Sequence, residues 1–133
     1  MFSEVIEERI RPIVEALIEE KGYVCSVDVL IKLEYLSKTD YEAWRFGRIP
    51  YLEKVCKVNL SKLTIINQKI KWVAHDFNLV KSLTAYNKFG KGPKPSLRFC
   101  KSGDKNIEAA YATHFINKKR INELKTNDIS EQK

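Results

Sequence analysis

The chain has 133 residues and a net charge of +7, with 44% apolar and 31% charged residues. That length suits one domain with a core that needs no disulfide or metal staple, and that composition excludes a disordered chain. No run reaches the roughly 18–20 apolar residues of a membrane span, and the charged first nine residues carry no apolar stretch of the kind a signal peptide needs. The expectation is a cytoplasmic protein. Residues 1–34 hold eight acids and four bases, whereas residues 63–105 hold nine bases and two acids. A surface so charged attracts polyanions, of which nucleic acid is the commonest large one in a cell.

Along the chain, Val5, Ile6, Ile10, Ile13, Val14, Leu17 and Ile18 recur at helical spacing and predict a helix over 4–21. Pro12 either kinks it or begins it, and Gly22 is a natural stop. Tyr23–Cys25 reads as extended, with Ser26 capping a helix over 27–36. Thr39 and Glu42 form a capping-box pattern for a helix from Asp40 to near Gly47. Pro50 opens a short helix to about Lys57.

Asn59 caps the longest regular segment, 60–77. Its apolar face carries Leu63, Ile66, Ile70, Val73, Ala74 and Phe77, opposite a face of Ser61, Thr64, Asn67, Gln68 and Lys71. The period then changes to two. Ser82–Phe89 and Ser96–Lys101 read as the strands of an antiparallel hairpin around Gly90-Lys91-Gly92-Pro93-Lys94-Pro95. Asp104 and its two predecessors can cap a helix over 105–116, with Ile107, Ala110, Tyr111, His114 and Phe115 as its apolar stripe. Residues 1–117 make the globular domain, and 118–133 read as a frayed polar tail.

Three groups of residues fit polyanion chemistry. In the hairpin, Lys88, Lys91, Lys94, Arg98 and Lys101 would neutralise phosphates, glycines would let the backbone approach them, and Tyr86 beside Arg98 would offer a stacking ring. On the long helix, Ser61, Thr64, Gln68 and Lys71 suit a groove, since Gln bonds base edges and Lys and Ser hold phosphates. Arg45 and Arg48 flank an aromatic pair and are spaced to grip one phosphate. Trp44, Phe46, Tyr41, Tyr51 and Trp72 read as packing.

Other chemistry has little support. Cys25, Cys56 and Cys100 are odd in number and far apart, which predicts free thiols and neither a zinc site nor a disulfide framework. His75 and His114 are isolated, and no local grouping suggests a nucleophilic or metal-dependent enzyme. No cofactor and no metal are expected.

The predicted class is α+β, mainly α, with one antiparallel hairpin. The order of elements from Ser26 to Lys101 resembles a winged helix, which implies double-stranded DNA as partner, with the basic hairpin as the wing. The competing expectation is a protein–protein interaction module or homodimer, in which the acidic first helix meets a basic hairpin.

Overall fold

The computed structural model describes residues 2–131, and side chains as far as residue 126. Helix α1 (Phe2–Lys21) buries Ile6, Ile10, Val14 and Leu17, the stripe its spacing predicts. It runs unbroken through Pro12, which lies on the exposed face, where water can serve the carbonyl that proline leaves without a partner. Helix α4 (Leu60–Asp76) packs along α1 and buries Leu63, Ile66, Ile70, Val73 and Ala74. Asn59 caps it by accepting the Lys62 amide at 2.9 Å. Glu7–Lys69 (3.2 Å) and Arg11–Asp76 (2.6 Å) flank this contact.

Between them the chain forms β1 (Tyr23–Cys25), α2 (Ser26–Lys32), α3 (Lys38–Arg45) and a single 3-10 turn, Leu52–Val55. Several details depart from the sequence reading. Helix α2 stops four residues earlier than expected, because Glu34 turns to positive φ and the Tyr35 and Leu36 amides fold back onto the Leu30 carbonyl. Ser26 does not cap α2. It is the first residue of that helix, buried, and its hydroxyl donates to Asn67 Oδ1 at 2.5 Å. The cap of α3 is Ser37, not Thr39, and it accepts the Asp40 amide at 3.0 Å. The expected helix from Pro50 is reduced to the 3-10 turn.

The largest departure follows α4. The strand β2 (Val80–Leu83) pairs not with a neighbour across Gly90 but with β3 (Thr113–Ile116), and β3 also pairs with β1. The result is a three-stranded antiparallel sheet in the order β1-β3-β2. The expected hairpin keeps only one bridge, Asn87–Ser96, with the Lys88 amide on the Pro95 carbonyl (3.1 Å) and the Leu97 amide on the Tyr86 carbonyl (2.8 Å). Helix α5 (Lys105–Ala112) is capped by Asp104 as predicted, but ends at Ala112, so His114 and Phe115 belong to β3. Residues read as a frayed tail form α6 (Lys118–Glu131). Arg120 anchors it on the Glu19 carbonyl, and the Asn117 amide donates to the Gly22 carbonyl. Gly22 has φ +81°, and a Cβ there would lie 2.5 Å from Ile121 Cγ1, so this junction needs glycine.

The fold is thus mainly helical with a small antiparallel sheet. An aromatic cluster joins residues 44–48 to the segment that follows β2. Phe99 packs on Trp44, Tyr86 and Tyr111 with ring centroids 5.1–5.2 Å apart. The Trp44 indole donates to the Arg98 carbonyl at 2.7 Å.

Candidate nucleic-acid interface

Two of the predicted basic groups become one surface. The Phe89 amide donates to the Arg45 carbonyl at 2.7 Å, which sets the loop after α3 against the bridged segment. The Lys88 stem crosses Gly47 closely enough that a Cβ there would lie 3.1 Å from its Cε. Phe46 and Phe89 meet edge to face at 5.7 Å, and both remain about 40% exposed. Gly90, at φ +104°, turns the chain beside Phe46 and presents Lys91 and Lys94 on an exposed tip. Arg48 is exposed above Phe46, its guanidinium carbon 5.5 Å from the ring centroid.

Not every predicted residue is free to bind. Arg45 lies over Phe89 and Tyr86 and chiefly packs. Tyr86 is a correction: it is buried, its hydroxyl within 2.9 Å of His114 Nε2, so the accessible rings are Phe46 and Phe89. Arg98 is exposed but folded back, donating to the Lys101 carbonyl and resting beside Gly103. Lys101 is exposed on the same turn. Trp72, read as packing, is 64% exposed on α4.

Among the described residues, none of Arg45, Arg48, Lys88, Lys91, Lys94, Arg98 and Lys101 has a carboxylate within 4.0 Å, whereas three acids of α1 are engaged. Glu7 pairs with Lys69 and Arg11, Glu19 with Arg120, and Glu20 with Lys32. The two N–H groups of Phe99 and Cys100, which could have served an anion, are taken by the Glu108 carboxylate at 2.8–3.1 Å.

The chain matches no protein-family model, no curated protein and no solved structure. Among the described residues, no three His, Cys, Asp or Glu side chains gather as a metal site would require, and no helix is long and apolar enough to cross a membrane.

The polar face of α4 has a different setting from the one its sequence suggests. Thr64, Gln68 and Lys71 form one wall of a cleft of about 590 Å³, closed opposite by Ile107 and Ala110 of α5 and floored by the sheet. Ser61 is exposed one turn earlier and stands outside the cleft. Sequence reasoning missed Glu53, Lys81 and Asn106, which also line it. They come from three elements, the 3-10 turn, β2 and α5, that are far apart in the chain. The one available signal was in α5, where Ile107 and Ala110 sit on an apolar stripe that the structure leaves partly uncovered.

Proposed function

We propose that this chain is a nucleic-acid-binding domain that holds double-stranded DNA by its phosphates. The observation that carries the reading is the gathering of Arg48 and Lys88 beside two half-exposed phenylalanines, with Lys91 and Lys94 on the adjoining exposed tip and, among the described residues, no carboxylate paired to any of these bases. Unpaired cations on a glycine-turned tip release counterions from a duplex backbone, and Phe46 and Phe89 offer flat apolar surface to sugars or bases. Arg98 and Lys101 add charge on the adjoining turn, and Arg45 supports the surface from below.

The order of elements supports a winged-helix comparison. A helix, a strand and further helices precede two more strands, and the third strand inserts between the other two. In this comparison residues 88–101 stand for the wing, with α5 following them before the last of the three strands. In this reading the wing grips the backbone, while Thr64, Gln68 and Lys71, exposed on α4, line the cleft beside α5 and take no part. Binding is therefore expected to be nearly independent of sequence, because phosphate contacts position a protein and base contacts specify it.

Fluorescence anisotropy with a labelled random duplex and a labelled random single strand, at low and near-physiological salt, tests the proposal. Binding to the duplex that falls steeply with salt is expected. Absence of binding at low salt would overturn it, and a strong preference for the single strand would replace the phosphate grip with ring stacking.

A further inference from the structure

The cleft between α4 and α5 is a second site, separate from the basic surface. At about 590 Å³ it has the size of small-molecule sites, and its lining is chemically divided. Lys71 from α4 and Lys81 from β2 both face it, and neither has an acidic partner within 4.0 Å among the described residues. Its apolar lining is made by Phe115, Ile107, Leu60, Ala109 and Ala110. Glu53 stands on the wall as well.

Glu53 is held in place rather than left to solvent. The Tyr111 hydroxyl donates to its Oε2 at 2.7 Å, and Tyr111 itself is fully buried. Asn67, which also lines the cleft, accepts from buried Ser26. The Tyr111 hydrogen bond fixes the carboxylate, and among the described residues no donor meets its Oε1. Burial raises the Glu53 carboxyl above its ordinary value, against the opposing effect of the Tyr111 hydrogen bond.

A fixed acceptor, an apolar slot for a flat ring and two unpaired ammonium groups together describe one kind of ligand. We infer that the cleft binds a free nucleoside monophosphate, its phosphate on Lys71 and Lys81, its base against Phe115 and Ile107, and a base N–H donated to Glu53. Neither Lys88 nor Lys91 nor Lys94 takes part, so this site stands or falls apart from the DNA-binding surface.

The probe is adenosine 5′-monophosphate, titrated into the ¹⁵N-labelled full chain and followed by amide shifts. Saturable shifts at Gln68, Lys71, Lys81, Ala109 and Ala110 are expected. Ribose 5-phosphate, which lacks the base, and adenosine, which lacks the phosphate, should each bind about tenfold more weakly or worse. Ala110→Trp fills the cleft from an exposed position and should abolish binding. Lys71→Gln with Lys81→Gln should weaken it about tenfold or more. No shifts with AMP at about 10 mM, a concentration that reveals even millimolar affinity, would overturn the inference. So would shifts confined to residues 88–94 that survive Ala110→Trp, since they would assign the nucleotide to the basic surface.

Discussion

The guanidinium carbon of Arg45 sits 3.9 Å from the centroid of the Phe89 ring. The Arg45 Nε is buried and has no hydrogen-bond partner among the described residues, so the group is held by stacking on Phe89. A flat, weakly hydrated cation tolerates this and an ammonium does not. Arg45→Lys should therefore destabilise the fold by about 1 kcal/mol or more, while Arg45→Met, which keeps the apolar stem, should be close to neutral. Urea unfolding checks both, and Arg45→Met should retain most duplex binding.

The opposite is expected of the exposed bases. Replacing Arg48, Lys91 and Lys94 together by serine should leave stability within about 0.5 kcal/mol, as for most surface changes. It should weaken duplex binding for all sequences alike. If each base holds one phosphate, the slope of log affinity against log salt becomes shallower by about 0.9 for each lost contact. An unchanged slope in anisotropy titrations would remove these residues from the interface.

Glu108 is the keystone of the turn after Phe99. Glu108→Ala strands the buried amides of Phe99 and Cys100 and should cost about 2–3 kcal/mol. Glu108→Gln keeps one acceptor and should cost about half as much. Chemical denaturation separates the two.

His114 stacks on Tyr23 at 5.0 Å and meets the Tyr86 hydroxyl. Burial lowers its pKa from the ordinary 6.5, partly countered by Asp28 and reinforced by Lys21. The folded state thus binds this proton more weakly than the unfolded chain does. Its contribution to stability is present above about pH 6.5 and is lost as pH falls through the lowered value. Titration of the imidazole by NMR should give a midpoint below 6.5, and His114→Gln should flatten the stability profile just below about pH 6.5. Glu53, raised by burial, acts with the opposite sign at lower pH.

Burial also raises the thiols of Cys25 and Cys56, each to about 12, so little thiolate is present near neutrality. Both should resist iodoacetamide at pH 8 in the folded protein and react once urea unfolds it. Rapid labelling of Cys25 in the native state would contradict its burial within β1.

The legible parts of this fold were those set by local pattern. The stripes of α1 and α4, the Asn59 and Asp104 caps and the stop at Gly47 all depend on residues within a turn or two of each other. The sheet was not legible, because the alternation in Ser82–Phe89 does not say which strand answers it. Nearness suggested Ser96–Lys101, but the partner of β2 lies beyond α5. The same ambiguity turned Tyr86 outward in the reading, and hid the cleft, whose Glu53, Lys81 and Asn106 are distant in sequence. The basic residues were visible as types, yet their joining with the loop after α3 depended on Phe46 and Phe89, which local pattern marked only as apolar.

The position of β3 between β1 and β2 also governs when the molecule can assemble. Tyr23 faces Ile116 across the sheet, a separation of roughly ninety positions, so the pairing is strongly non-local and slow to find. During synthesis α1 and α4 can meet well before β3 leaves the ribosome. Until then the edges of β1 and β2 have no partner, and Phe115 has yet to fill its place. The nascent helical pair therefore waits with an open seam that either this chain's own last strand or a chaperone must cover.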